Sequence, residues 1–521
     1  MAVVANDVGR QVLRELRGAR RKHYLQQLDW VDALYKAYLT AIGAGAGTLL
    51  VSGALGDAGA TAHSVHEIAA RGPALLGLAV ALLVAAGLRT GARGGPLALQ
   101  PPDVHQILLA PLDRRLALFG PAIAQLRSRV FFLAVAGAVV GNLAFRRLPG
   151  KPGVWVGCGV LFGALAAAAG MGSALLASGR RLPRLLASVL GVALIGWSLA
   201  DWLLHVTSSP ATMLGHLALA PIADSPAVEI ALGFVFAAGL LAIGLASVGG
   251  TSLEDSLRRA GLVAQLRFAV TVQDLRTVIL LRRQLAAELP RSKPWLALRP
   301  AAGGPTGRVV WKRGWRGFLR WPVARVVRVG VLGLVAAAAL VGVWHGTTPL
   351  VIVAGCALLL VALDAIEPLA QEIDHPTRRS LLPIPSKALL RPHLVAPGAA
   401  LALVAVVGVL AALAATRDAQ ALEVGVAVLV PAVLGALAGA AVSVITDPFQ
   451  WVLNPVVQNL RAAAPFVLAI AGVLPVAAAR LAERHDLSPA GVAVQVGVFV
   501  VLLCVGVLSL LTGRLAPKDT A

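Results

Sequence analysis

Residues 154–177, VWVGCGVLFGALAAAAGMGSALLA, contain no charged side chain and, as an α-helix, are long enough to cross a membrane. The hydrocarbon core of a bilayer is about 30 Å thick, and about 20 consecutive apolar residues in an α-helix cross it. The rest of the chain is similar: 58% of the 521 residues are hydrophobic, 14% are charged, and the mean hydropathy is +0.80. This composition excludes an ordinary soluble domain and predicts an all-α, polytopic membrane protein.

Twelve apolar runs predict twelve transmembrane helices. Their ranges are 37–54, 73–89, 130–145, 154–177, 185–205, 228–247, 327–344, 350–365, 393–415, 424–443, 466–479 and 491–512. Several contain glycine or proline, which membrane helices tolerate when neighbouring helices satisfy the backbone. A long polar stretch separates the sixth run from the seventh, so the sequence predicts two pseudo-repeated halves of six helices each.

The basic residues are unevenly distributed. If both termini are cytoplasmic, only seven of the 46 lysines and arginines fall in outer segments: Arg71, Arg146, Arg147, Lys151, Arg417, Arg480 and Arg484. Positive charge concentrates in the cytoplasmic loops of membrane proteins, so we predict a multi-pass protein of the cell (plasma or inner) membrane with both termini in the cytoplasm. The formal charge of +21 then reflects topology and contact with lipid headgroups, and we expect no nucleic-acid partner.

Two short basic segments occupy the same place in the two halves, between the second and third apolar runs. The first consists of Pro111, Leu112, Asp113, Arg114 and Arg115, and the second of Pro383, Ile384, Pro385, Ser386 and Lys387. Proline suits the first turn of a helix, where an Asp or Ser oxygen can cap free amides. Each segment is therefore interpreted either as a short amphipathic helix that binds a partner or as an ordinary cytoplasmic turn.

Each half is preceded by a basic segment. Residues 1–36 form a basic lead-in, and residues 248–326 form a basic linker that ends in alternating aromatic and cationic positions. There Trp311, Trp315 and Phe318 are predicted to reach the acyl boundary, while Lys312, Arg313, Arg316 and Arg320 reach lipid phosphates. The other predicted boundaries are 37–247 and 327–512 for the membrane halves and 513–521 for a cytoplasmic tail.

In its order of elements the chain resembles the type-2 ATP-binding-cassette (ABC-2) exporter permeases, in particular fused forms with two six-span halves. Those permeases begin each half with an elbow helix on the inner face and carry a coupling helix between the second and third spans. The resemblance implies elbows at about 21–36 and 311–321, with Trp311, Trp315, Arg316, Phe318 and Trp321 at the membrane interface. It also implies that the two basic segments are coupling helices bound by two ABC ATPase subunits.

The resemblance places ATP and Mg²⁺ on the partner subunits and no cofactor on this chain. The nearest glycine-rich stretch, residues 303–308, lacks the spacing and the Lys-Ser/Thr pair of a phosphate-binding loop. No catalytic or metal-ligating pattern is found either, so we expect no enzyme activity on this chain. The resemblance further implies that residues 206–227 fold back into the outer leaflet, whereas the corresponding segment at 479–491 is shorter and more charged.

A different class of function stays open, because an ion- or proton-coupled secondary transporter with a 6+6 arrangement would place titratable groups within the membrane. The candidates are Asp201, His205, Glu229 and Asp364, of which Asp201 and His205 are spaced for a local pair. Asp364, Glu367, Glu372, Asp374 and His375, just before Arg378 and Arg379, predict a mixed-charge helix face. A membrane enzyme and a scaffold protein are further alternatives. The largely uncharged spans favour an apolar or amphipathic cargo for a transporter.

Overall fold

The helices expected from the apolar runs form in a computed structural model of the chain. The structure describes residues 61–99, 104–108, 113–223, 227–272, 275–285, 290–299, 304–375, 377, 386–445 and 455–514, together with residues 11, 15, 18 and 19. Within these residues the regular structure is helical, and no strand occurs. The chain divides into two compact units between Gln265 and Leu266, inside a helix of the basic linker.

Unit 1 contains five long apolar helices, one short one and most of a polar helix. They are α1 (Ala62–Gly91), α2 (Arg114–Phe145), α3 (Pro152–Gly179), α4 (Arg184–Leu204), α5 (Pro210–Leu219), α6 (Ala227–Ser247) and α7 (Leu253–Thr271). A π-helical turn at Val104–Leu108 and a 3₁₀ turn at Val248–Gly250 complete it.

Unit 2 begins with amphipathic helices and continues with six apolar ones. Its helices are α8 (Leu275–Leu285), α9 (Thr306–Phe318), α10 (Val323–Trp344), α11 (Leu350–Ala365), α12 (Glu367–Asp374), α13 (Ser386–Leu390), α14 (Val395–Thr416), α15 (Ala419–Ile445), α16 (Pro455–Glu483) and α17 (Pro489–Arg514). A 3₁₀ turn at Arg391–Leu394 joins α13 to α14.

Eleven of the twelve predicted spans coincide with helices, and the remaining one, 37–54, lies outside the described residues. Ten described helices are long and apolar enough to cross a membrane, and α11 joins them when combined with α12, from which it is bent by 54°. Two separate helices cover 130–177, as predicted. The protein is therefore an all-α, polytopic membrane protein.

The two units share one arrangement of spans. If the run at 37–54 is counted as the first span, α3 and α15 are the fourth spans of their halves, and their apolar windows are 61% and 67% buried. The third spans, α2 and α14, are each only 6% buried. In both units the fourth span packs against the second, third and sixth spans. The shared contacts of the central helix support the internal repeat, although in unit 2 this helix also packs against the fifth span, α16.

Small residues let the central helices approach their neighbours closely. A Cβ atom on Gly159 or Gly163 of α3 would collide with backbone oxygen atoms of α2. A Cβ atom on Gly435 or Gly439 of α15 would collide with backbone oxygen atoms of α16. Between membrane helices the association depends on van der Waals packing, because lipid tails are as apolar as leucine, and small residues favour such packing.

The two units differ between the fifth and sixth spans. In unit 1 the segment expected to fold back contains α5, a ten-residue helix that packs against α1, α3 and α6. Ala211 and Leu214 of α5 are completely buried. In unit 2 a turn at 484–488 joins α16 directly to α17, and these two helices pack against each other. The fold-back element is therefore a feature of unit 1.

Candidate functional site

The first basic segment lies at the start of a long helix. Asp113 caps α2, because its Oδ1 accepts a hydrogen bond from the amide of Arg115 at 2.9 Å. Arg114 and Arg115 are exposed on the first turn of α2, which continues for 32 residues as the third span. The expected cap is confirmed, but the described part of the segment is not a separate short helix. Pro111 and Leu112 lie outside the described residues.

The second basic segment differs from the first. Pro383, Ile384 and Pro385 lie outside the described residues, and the backbone of Ser386 and Lys387 begins the five-residue helix α13. Leu389 and Leu390 of α13 are buried, and the 3₁₀ turn at Arg391–Leu394 separates this short helix from α14. In unit 2 a short helix therefore precedes the third span, but Leu389 and Leu390 face the protein core and are not available to a partner.

Helix α9 contains most of the second predicted elbow. Its aromatic side chains form a continuous row that extends past the helix end: ring centres lie 5.7 Å apart for Trp311–Trp315 and for Trp315–Phe318, and 5.0 Å apart for Phe318–Trp321. The tilted and edge-on contacts are favourable arrangements of aromatic rings. Phe318 is buried and Arg316 is exposed, so the predicted amphipathic helix is confirmed. Its place at a membrane interface stays a prediction.

A loop at residues 291–295, which the sequence did not predict, forms hydrogen bonds with the turn that follows α9. The amide of Arg291 donates to the carbonyl of Arg320 at 2.8 Å, and the amide of Trp295 donates to that of Leu319 at 2.9 Å. The indole Nε1 of Trp295 donates to the carbonyl of Trp321 at 3.0 Å. The last carbonyls of α9 accept from the amides of residues 319–321, and the loop in turn satisfies the carbonyls of these three residues.

One cation of α9 has a different partner from the one predicted. Arg313 Nη1 lies 2.5 Å from Oε1 of Glu372 in α12, whose side chain is 3% exposed. A carboxylate this deeply buried needs a cation beside it. Arg313 therefore pairs with Glu372, a partner that the sequence did not predict, and its contact with a lipid phosphate stays a prediction. His393, in the turn before α14, places its Nε2 3.9 Å from the same Oε1 and its Nδ1 2.8 Å from the carbonyl of Leu389.

A second group of charges lies where α10, α11 and α12 meet. Arg328 binds Asp364 through two hydrogen bonds, at 2.9 Å from Nε to Oδ2 and 3.1 Å from Nη2 to Oδ1. Arg325 lies 3.7 Å from Asp364 through Nε and 2.5 Å from Glu367 Oε2 through Nη2. Its guanidinium also lies 5.0 Å from the centre of the Trp321 ring, within range of a cation–π interaction.

We call these six residues the charge network: Arg313, Arg325, Arg328, Asp364, Glu367 and Glu372. It connects α9, α10, α11 and α12. His393 Nε2 is 3.9 Å from Glu372, beyond hydrogen-bonding distance, so the turn before α14 contacts α9 and α12 by packing. Separating α10 from α11 leaves Asp364, whose side chain is 5% exposed, without its cations, and separating α9 from α12 does the same to Glu372, which is 3% exposed. An unpaired carboxylate in such surroundings is strongly unfavourable. The network therefore makes the start of unit 2 and its first two spans a mechanically connected group.

The sequence indicated the acids of the network but not their partners. We expected the acids to lie beside Arg378 and Arg379, which are outside the described residues. The observed partners lie 36 and 59 positions upstream, at Arg328 for Asp364 and Arg313 for Glu372. One signal was present, because Arg328 falls inside the predicted span 327–344, and a cation in a span predicts a buried acidic partner.

Asp201 stabilises α5 instead of pairing with His205. Its Oδ1 accepts from Ser208 Oγ at 2.6 Å, and its Oδ2 accepts from the amide of Ser209 at 2.8 Å. Ser209 in turn caps α5. His205 is exposed and has left-handed backbone conformation, with φ of 56°, where α4 ends. The predicted Asp201–His205 pair is therefore wrong, since the chain turns back at His205 and brings the serines to Asp201.

His216 and Glu229 form a second polar contact in unit 1. His216 Nε2 of α5 lies 3.2 Å from Glu229 Oε2 of α6, with side chains 10% and 23% exposed. Thr207 Oγ1 donates to the other carboxylate oxygen at 3.2 Å. This pair, which the sequence did not indicate, joins the fold-back helix to the sixth span.

Unit 2 also contains an apolar cavity of about 90 Å³ between α10, α14 and α15. Small residues such as Ala337, Gly408 and Gly425 line it. At one end Trp344, which also lines the cavity, donates a hydrogen bond from Nε1 to Asp418 Oδ2 at 3.2 Å. The cavity is therefore suited to an apolar group, and the polar contact between Trp344 and Asp418 lies at one end of it.

Comparison of the chain with protein-family models, with curated proteins and with solved structures gives no match. Among the residues that the structure describes, no three His, Cys, Asp or Glu side chains converge as metal ligands.

The charge network leads to a stability prediction. Asp364→Asn removes the carboxylate shared by Arg325 and Arg328, and loss of one partner of a buried ion pair costs about 3 kcal/mol or more. We expect a clearly lower melting temperature of the purified protein in detergent. Glu67→Gln is the matched control, because its ion pair with Arg71 is about half exposed and contributes less than about 1 kcal/mol. Equal melting temperatures for the two variants would contradict a structural role of the network.

Proposed function

We propose that this protein is the permease subunit of an ATP-driven exporter of the ABC-2 type, with ATP hydrolysed on separate subunits. The supporting observation is the charge network, which links the predicted elbow helix α9 to α12 and to α10 and α11, the first two spans of unit 2. The repeated arrangement of spans around α3 and α15 agrees with a transport path formed by two related halves.

In this proposal two ATPase subunits bind the two basic segments, one segment in each half. Nucleotide favours the closed arrangement of the ATPases, so its binding shifts the permease between two conformations. A displacement of the turn before α14 reaches α9 and α12 through direct packing, since both helices contact Arg391–Leu394. From there α12 transmits it to α11 and α10, because Glu367 and Asp364 bind Arg325 and Arg328.

The cargo in this proposal is apolar or amphipathic. The cavity between α10, α14 and α15 is lined almost entirely by aliphatic residues. The hydrogen bond between Trp344 and Asp418 places one polar group at its end. An acyl or isoprenoid chain fits such a lining, whereas a charged solute would lose its hydration without gaining a partner.

The coupling role is tested by combined charge reversal at Arg114, Arg115 and Lys387. The three Glu substitutions place negative charge on the proposed docking surface, so we expect an ABC ATPase to co-purify much less. Charge reversal at Arg146, Arg147 and Lys151 changes the charge equally in a turn predicted to be extracellular. That control variant is expected to retain the ATPase. Unchanged co-purification and transport in the variant reversed at Arg114, Arg115 and Lys387 would contradict the docking role.

The cavity leads to a second test at Gly408. A Cβ atom at this position meets its nearest neighbour, Ala337 Cβ, at 3.6 Å, an ordinary contact, so Gly408→Ala is expected to retain transport. Gly408→Phe fills the cavity and is expected to reduce ATP-dependent efflux of a fluorescent phospholipid analogue strongly while the ATPase still co-purifies. Normal efflux by the Phe variant would place the cargo path elsewhere.

An ion-coupled secondary transporter is the second candidate, and the partly buried His216–Glu229 pair favours it, since such a pair can bind or release a proton. In this case Glu229→Gln abolishes transport driven by a proton gradient, and no ATPase is needed. The exporter proposal instead expects Glu229→Gln to keep ATP-dependent transport. Glu67→Gln, an exposed carboxylate on α1, serves as the control in reconstituted vesicles.

A further inference from the structure

A cationic cavity lies in unit 1 between the end of α1 and the start of α4. Its volume is about 280 Å³, and it is lined by Arg89, Arg93, Arg184, Leu185 and Ser188. Three of these five side chains carry a guanidinium group, and none is acidic. A cavity that concentrates positive charge in this way is suited to an anion.

The neighbouring helix α7 carries two acidic residues in its first turn, Glu254 and Asp255. Asp255 Oδ1 lies 4.0 Å from Arg258 Nη2, which also donates to the backbone carbonyl of Arg93 at 3.3 Å. Arg181, next to α4, donates from Nε to the carbonyl of Gly250 at 3.0 Å. These contacts connect Arg93 to α7 and the start of α4 to the 3₁₀ turn at Val248–Gly250.

The start of α4 adds a second feature that favours an anion. Pro183 occupies the N-cap position and makes no side-chain capping hydrogen bond. The first amides of a helix have no acceptors within the helix and carry partial positive charge. Arg184 and Leu185 belong to this first turn and also line the cavity, so the helix end and the arginines act on the same space.

An apolar helix face begins at the cavity. Leu185, Val189 and Val192 follow one another along α4 and are 78%, 54% and 68% exposed. In a polytopic membrane protein, an exposed aliphatic face on a span contacts acyl chains. A phosphate site at the end of such a face matches the shape of a phospholipid. The headgroup would lie in the cavity, and the acyl chains would lie along α4.

We propose that the cavity of Arg89, Arg93 and Arg184 binds the phosphate of an anionic phospholipid. Ser188 lies one turn beyond Arg184 and completes the polar lining. The site is formed by residues of unit 1 alone and does not depend on which energy source drives the protein.

Native mass spectrometry of the purified full-length protein with added phosphatidylglycerol or phosphatidylcholine tests the proposal. We expect preferential retention of phosphatidylglycerol. The double variant R89Q/R184Q is expected to bind it about tenfold more weakly, since each basic residue near a lipid phosphate contributes appreciably. Arg184→Gln alone, at an exposed position, is expected to shift affinity in the same direction. Arg180→Gln removes an exposed arginine outside the cavity and is expected to leave affinity unchanged.

Inorganic phosphate in the same experiment separates the two sources of a phosphate group. The proposal expects phosphate to leave bound phosphatidylglycerol in place, because it lacks the acyl chains that contact α4. Displacement of the lipid by phosphate would overturn the lipid assignment. Equal retention of phosphatidylglycerol by the wild type and R89Q/R184Q would overturn the site itself.

Discussion

Pairing of buried charge is the constraint on which the start of unit 2 depends. Asp364 is nearly inaccessible at the end of an apolar helix, and the two-point contact with Arg328 of α10 compensates its charge. Glu372 repeats the principle with Arg313, which comes from the amphipathic elbow. In each case one carboxylate fixes the position of a helix relative to its neighbour. Aliphatic side chains alone fix this position weakly, because lipid tails are as apolar as the helix faces.

The membrane core of both units depends on a different constraint, the approach of backbones at small residues. Gly163 in α3 and Gly435 in α15 leave no room for a side chain against the neighbouring helix. These two helices are the most buried spans of their units, among the residues that the structure describes. Unit 1 also contains α5, and Asp201 stabilises its start by accepting hydrogen bonds from Ser208 Oγ and from the amide of Ser209. The repeat thus preserves a central helix, while the fold-back element makes the halves unequal.

The sequence predicted the spans well because an apolar run is a local signal that needs no knowledge of contacts. It predicted the cap at Asp113 and the amphipathic character of α9 for the same reason. The pairs of the charge network were not predictable in this way, because Arg313 and Glu372 are 59 positions apart. The Asp201–His205 pair failed because a regular helix was assumed, whereas the left-handed conformation of His205 ends it. Local patterns therefore predict helices, and long-range charge pairing depends on how those helices pack.

We propose that the exposed first turn of α2 contacts a separate ABC ATPase subunit. Photo-crosslinking in cells tests this contact directly, with a benzoylphenylalanine residue placed at Arg114 and, as a control, at Lys151 in the turn between α2 and α3. If this contact forms, mass spectrometry identifies a covalent adduct with an ABC ATPase from position 114 and none from position 151. The absence of an ATPase adduct from position 114, or equal adducts from both positions, would contradict it.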